Sequence, residues 1–261
     1  MQRIINLICH PSRIVLYFND KIYKIIICLL SFIMAICAIL AGYSFTTKTY
    51  DYYFVQSVID VINSKDEANI KFSDSKLTGN AYQIKANGIF IYYLKSDFAH
   101  NDYGLVMNFK EESVDIYYRF FPKKTLNYND CLVNDFTFSD IKYNKNQARI
   151  NFESLMIQAL DLINNEASIM TFADYASNIL IMYGVVLLIA TVFSFFINPQ
   201  IQFRHRIRIS IYDSIIYFVI MIFALMFQIS WLQYVAMVLP IFYCNISFRS
   251  IVVIKKVWEW P

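Results

Sequence analysis

The residues of this chain that could do chemistry are few and far apart. Histidine occurs as His10, His100 and His205, in three separate segments, and cysteine as Cys9, Cys28, Cys37, Cys131 and Cys244. A zinc or other transition-metal site needs three or four such ligands at close spacing. Neither His-Glu-x-x-His nor Cys-x-x-Cys occurs. The acids Glu111-Glu112, Asp97 and Asp102 fall in turn-like clusters, where solvated turn residues are the simplest reading. The chain has only 5 glycines and no Gly-rich phosphate loop, so it is not its own ATPase. The expectation is a protein that is not an enzyme, with no catalytic residue, no cofactor and no metal.

The elements that would position any site are set by hydropathy. Residues 25–45, 176–197 and 214–248 contain no charged residue. About 20 apolar residues in a helix cross the roughly 30 Å hydrocarbon core of a bilayer. The first two stretches fit one crossing each. The third, as a single helix, would be about 52 Å long. Its polar residues Gln228, Ser230 and Gln233 cluster in its middle, beside Trp231 and Tyr234, residues that favour the headgroup level. A tight turn at 228–233 and two helices, 211–229 and 232–251, give four spans. Three spans require one long tilted helix instead.

Charge placement favours four. Arg3, Arg13, Lys21 and Lys24 precede the first span; Arg204, Arg206 and Arg208 follow the second; Arg249, Lys255 and Lys256 lie at the C-terminal end. Under the positive-inside rule all three groups belong in the cytoplasm, and only an even number of spans puts them there together. The expected organisation is a cytoplasmic or interfacial amphipathic segment 1–24, span 25–45, an extracytoplasmic domain 46–175, span 176–197, a basic loop 198–210, spans 211–229 and 232–251, and a cytoplasmic tail 252–261. Residues 46–175 carry 13 Lys+Arg and 17 Asp+Glu, net −4, and the rest of the chain +7. That asymmetry marks an inside and an outside, not a nucleic-acid binder. The first apolar stretch exceeds a signal-peptide core and follows 24 residues of lead, so it reads as a signal anchor. Segment 1–24 mixes Ile4, Ile5, Leu7, Ile14 and Leu16 with basic residues; it reads as an interfacial helix on anionic lipid or as a solvated lead-in.

Within 46–175, Val55, Val58, Ile59 and Ile62 recur at helical spacing, as do Phe152, Leu155, Met156, Ala159 and Ile163. Between them, 88–93, 105–109 and 114–119 read as strands separated by the clusters at Asp74, Thr78, His100 and Lys110. The fold class expected is therefore an α-helical membrane protein of four transmembrane helices. Between helices 1 and 2 it carries an extracytoplasmic α+β domain, an antiparallel sheet flanked by helices.

Cys28 and Cys37 lie inside the first span as small apolar residues, and Cys131 alone faces outward, so no intrachain disulfide forms outside. Aromatic pairs such as Tyr92-Tyr93 and Tyr117-Tyr118 put one ring on each face of a strand. One fills the core and the other is left for a partner. With Arg204, Arg206 and Arg208 of the basic loop, Tyr93 and Tyr117 are the candidate partner-binding residues, because interface cores favour Tyr and Arg. No charge is expected at mid-depth of the spans, and Asp213 is placed at the cytoplasmic edge of the third; a proton-coupled carrier acting alone is disfavoured. Partners expected are the lipid bilayer and one or more proteins of a membrane complex.

The layout resembles an uncharacterised family of integral membrane proteins of low-GC Gram-positive bacteria, some of which carry the name maltodextrin utilization protein. The resemblance rests on the lead His10-Pro-Ser-Arg-Ile-Val-Leu-Tyr-Phe-Asn-Asp-Lys, on Ile70-Lys-Phe-Ser-Asp-Ser-Lys-Leu after the helix ending near Asn63, on the strand at 88–93 and on the order of the C-terminal spans. It implies an accessory or sensor role in sugar uptake or at the cell envelope and carries over no catalytic residue. One span, a large outer domain and three further spans also look like the transmembrane subunit of ABC systems that transmit force, driven by a separate ATPase; the short loop 198–210 is small for that task.

Overall fold

The structure, a computed structural model, describes residues 8–17, 20–50, 52–64, 69–86, 89–95, 104–143 and 146–258. Two compact units form: Met1–Tyr43 with Phe172–Pro261, and Ser44–Thr171.

The first unit is helical. A 3-10 segment, Pro11–Tyr17, precedes α1 (Ile22–Thr46). The second unit contains α2 (Tyr52–Ser64), eight short strands, α3 (Phe138–Lys142) and α4 (Asn146–Asp161). Then follow α5 (Asn164–Ile197), α6 (Phe203–Met226) and α7 (Leu232–Trp258). By length and composition α1, α5, α6 and α7 can each cross a membrane, which makes this a multi-pass membrane protein. The split expected at 228–233 is a turn between α6 and α7. Gln228 adopts φ 54°, Ile229 N–H donates to Ala224 O at 3.0 Å, and Gln228 N–H to Leu225 O at 3.4 Å. This pair of bonds around a left-handed residue closes the helix end.

In the second unit, β1 (Ile70–Ser73) and β2 (Lys76–Gly79) form a hairpin whose two turn residues, Asp74 and Ser75, both have positive φ. Such a turn matches the twist of the strands it joins. Gly79 is required where β2 ends: its φ is +136°, and a Cβ there would lie 2.0 Å from Asn69 O. β8 (Phe136–Thr137) pairs with the other edge of β1. The larger sheet runs in the order β3 (Tyr82–Ala86), β4 (Ile89–Tyr93), β5 (Leu105–Phe109), β6 (Ser113–Tyr118), β7 (Lys124–Asn127). It is not wholly antiparallel as the sequence reading has it. β4 and β5 pair in parallel, Ile89 with Leu105 through Tyr93 with Phe109. A turn-like cluster was expected at His100, but a parallel pair requires the chain to return to the same end of the sheet before β5 begins. His100, Asp97 and Asp102 themselves lie outside the described residues.

One face of this sheet packs Ile91, Tyr93, Met107, Phe109, Ile116 and Tyr118 against α2 and α4. The residues read as helical periodicity, Val58, Ile62, Phe152, Leu155 and Met156, are all in that core. Gln56 bonds Glu153 across the two helices at 2.5 Å, and Arg149 holds the same carboxylate at 3.0 Å. Where the chain enters and leaves this unit, Thr49 and Thr171 hydroxyls are 3.4 Å apart, and Lys48 pairs with Asp161 at 2.6 Å.

Candidate functional site: a buried polar layer among the helices

α6 begins at Phe203, so the expected basic loop 198–210 shrinks to five residues and its arginines are helical. The consequences differ by position. Arg204 is exposed, Arg208 is buried, and Arg206 is completely so. Arg206 Nη1 donates to Ser194 Oγ at 2.9 Å, and Nη2 donates to the carbonyls of Asn198 at 2.8 Å and Ile201 at 3.1 Å. Its guanidinium lies 3.8 Å from the ring centre of Phe195 and 5.7 Å from that of Phe248. Among the described residues it has no carboxylate partner. Carbonyl dipoles and π faces hold it instead. Arg206 is therefore part of the packing and offers no surface to a partner.

Seven residues on, two helical turns along the same face, stands Asp213. It too is fully buried, within α6. Ser247 Oγ of α7 lies 2.6 Å from Asp213 Oδ1 and 2.9 Å from Pro11 O, while Asp213 Oδ2 has no hydrogen-bond partner. A serine hydroxyl carries one proton and serves one acceptor at a time. Cys244 Sγ donates to Ala190 O at 3.2 Å, closing the layer on the α5 side.

The N-terminal segment is built into this layer. Ile14 packs, with no exposed surface, among Ile25, Ala190, Ile209, Tyr212, Ile215 and Phe248. Tyr243 donates to Ile8 O, and Tyr212 to the Asp20 carboxylate at 2.8 Å, with Tyr17 against the Tyr212 ring at 5.9 Å. The exposed side of the segment shows Arg13 and Leu16. Residues 1–7 lie outside the described residues.

No family model, no curated protein and no solved structure matches this chain. Its function must therefore be argued from its own residues. Of the two aromatic candidates, Tyr93 is in the core, stacked on Phe109 at 4.9 Å and edge-on to Phe138 at 5.0 Å. Burial pushes its phenol far above the usual range. Tyr117 lies partly exposed on the opposite face of the sheet. That face carries a second polar arrangement. Asp115, buried, accepts from Lys110 at 2.6 Å, Thr125 at 2.7 Å and Lys123 at 3.3 Å. Burial works against its charge, but the bonds from Lys110, Thr125 and Lys123 win and hold the carboxyl below the usual range. Beside it Asn108 is buried, with Oδ1 unpartnered. Cys131 is half-buried, its thiol pushed up by burial and then by Asp130, so it is not an activated nucleophile. Among the described residues no three His, Cys, Asp or Glu come together.

Sequence reasoning passed over Ser194, Asn198, Phe195, Ser247 and the inward Asp213. The i, i+7 spacing of Arg206 and Asp213 was the available signal, since it puts both on one helix face. Ser194 and Ser247 had none, because serine is common on any transmembrane face.

Proposed function

We propose that this protein sits in the plasma membrane with both termini in the cytoplasm and Ser44–Thr171 outside, and acts without catalysis as an accessory or sensor protein. Partners in a membrane complex, in sugar uptake or envelope monitoring, would read its outer unit. The observation that carries this reading is the closure of the outer unit's two chain ends. Thr49 and Thr171 touch, and Lys48 clamps Asp161 beside them. A binding event that repacks α2 against α4 thus reaches both tethers at once, as a sensor requires. The charge division, −4 within 46–175 and +7 outside it, supports the orientation. The resemblance to maltodextrin utilization proteins supports sugar as the ligand class. The second reading, a subunit driven by a separate ATPase, keeps the order of one span, outer unit and three spans. With 198–202 the only non-helical residues between α5 and α6, little surface remains there for an ATPase to grip.

The test starts from a cysteine-free background. Leu132→Cys, at a position 93% exposed, should react with an impermeant maleimide in intact cells, and Arg204→Cys should react only after lysis. Labelling of Arg204→Cys in intact cells would reverse the orientation. Purification in mild detergent should then recover partner proteins, and maltodextrin should raise the melting temperature of the outer unit. Turnover or solute transport by the purified chain alone would end the accessory reading.

A further inference from the structure

A cleft of about 470 Å³ opens where two spans begin. One wall is Asp20, Lys21 and Tyr23, at the start of α1; the other is Gln202, Arg204, His205 and Arg208, at the start of α6. We propose that this cleft binds a phosphate group, presented by an anionic phospholipid headgroup or by a small soluble phosphate.

Charge is the first reason. Lys21, Arg204 and Arg208 are permanent cations, and among the described residues the only acid in the lining is Asp20, one of whose oxygens already accepts from Tyr212. With histidine neutral, the described residues of the lining sum to +2. Geometry is the second. Two arginines, a lysine, Gln202 and His205 line one space. Phosphate, with its several acceptor oxygens, matches such a set, and arginine forks grip it bidentately. The third is the helix end. α6 is 24 residues long, and its N-cap residue Gln202 makes no side-chain cap bond. The positive end of its dipole therefore adds to the same side of the cleft. Position is the fourth. Lys21 immediately precedes α1 and Gln202 immediately precedes α6, so the space lies level with the first turn of two membrane-length helices. That is headgroup depth, where basic pockets between helices hold lipid phosphates. Tyr23 in the lining is the residue type that anchors at that depth. The volume exceeds a bare phosphate and leaves room for the glycerol that a lipid or a glycerol phosphate would bring.

The inference is independent of the sensor reading, because it needs neither the outer unit nor an orientation. Lys21 and Arg204 are both exposed, so Lys21→Gln/Arg204→Gln should fold as the parent does; unchanged hydrogen exchange in α6 and α7 checks this. The full chain in neutral detergent is titrated with phosphatidylglycerol, phosphatidylcholine, glycerol phosphate and inorganic phosphate, read by native mass spectrometry. Each cation at an anionic headgroup is expected to contribute about fivefold in affinity. The double variant should then bind phosphatidylglycerol about 30-fold more weakly, with phosphatidylcholine weak for both proteins. That result supports the site and names the lipid as its source. Variant-sensitive binding of glycerol phosphate or inorganic phosphate, as tight as the lipid, supports the site with a soluble ligand. Equal binding of phosphatidylglycerol by parent and variant, or no binding of any phosphate, overturns the proposal.

Discussion

The two units sort the same residue types in opposite directions. In Ser44–Thr171 a core of large apolar side chains goes inward: Phe72, Phe109, Phe138 and Phe152 are fully buried. In the helical unit Leu30, Met34, Ile181, Leu188, Phe196 and Phe242 face out, while Arg206, Asp213, Ser194, Ser214 and Ser247 are inside. Burial of apolar surface drives packing only where the surrounding solvent is water. Lipid removes that drive, and helices then associate through small residues, close packing and internal polar contacts. Treatment of buried charge differs as well. Asp115 is met by two lysines and a threonine, whereas Arg206 is met by carbonyls and rings and Asp213 by one hydroxyl.

The comparison breaks most readily on a large side chain from each unit. Phe152→Ala should destabilise the outer unit by about 3–5 kcal/mol, because Phe152 is fully buried against Phe136 and Phe138 and its removal leaves a cavity. Leu188→Ala, at a position 63% exposed, should cost under about 1 kcal/mol in lipid nanodiscs, since lipid replaces the lost contacts. Hydrogen exchange read separately on peptides of each unit measures both, as a single melting point for two units is not well defined. Equal losses would mean that the helices do not face lipid.

Arg206 comes next. Arg206→Ala takes the donor from the Asn198 and Ile201 carbonyls, while Ser194 keeps its bond to Thr191 O, and should weaken α6 protection by about 1.5–3 kcal/mol. Arg204→Ala, on an exposed side chain two residues earlier, should change nothing beyond about 0.5 kcal/mol. A null effect of Arg206→Ala would show that the carbonyl cage is incidental.

How much of this was legible in the sequence follows the same division. Three charge-free runs, the last divided by its polar middle, marked the four long helices, and 3.6-residue periodicity marked α2 and α4, because these signals are local. The parallel pairing of β4 with β5 was not legible. It is decided by tertiary pairing, and no strand pattern records that. The inward turn of Arg206 was not legible either. A basic residue near a span reads as a topology signal whichever way it points, and its ligands are backbone carbonyls, which every sequence has. Tyr93 was foreseeable only as one of an alternating pair. Which ring of Tyr92-Tyr93 faces the core depends on the face that α2 and α4 cover.

Aspartate to asparagine in each unit sharpens the contrast over charge. Asp115→Asn removes the partner of Lys110 and Lys123 and should cost about 1.5–3 kcal/mol near neutral pH. The folded carboxyl titrates below its unfolded value of about 3.9. Its stabilisation is therefore complete above roughly pH 5 and is lost as pH falls through the lowered folded value. Parent and variant should converge in acid, and exchange rates of β6 peptides from pH 7 down to 3 test this. Asp213→Asn should cost less than about 1 kcal/mol. An amide can donate to Ser247, which frees the hydroxyl proton for Pro11 O, and no cation loses a partner. Were Asp213→Asn the more damaging of the two, an unseen cation would have to face it.

The smallest effect is one on which the two units should agree. Ser75 in the β1–β2 turn has φ 57°, and Gln228 at the end of α6 has φ 54°. Both are side-chain-bearing residues in the left-handed region, where an L-residue is strained by about 1–2 kcal/mol. Glycine removes the strain but adds backbone entropy to the unfolded chain, about 0.5–1 kcal/mol. Ser75→Gly and Gln228→Gly should therefore each stabilise by roughly 0.5 kcal/mol. Backbone sterics do not depend on solvent, so the gain should be the same in water and in lipid. Local hydrogen exchange at Leu77 and at Ile229 reads each turn. A gain at Ser75 alone would mean that the Gln228 side chain contributes something at its end of the bundle that offsets its strain.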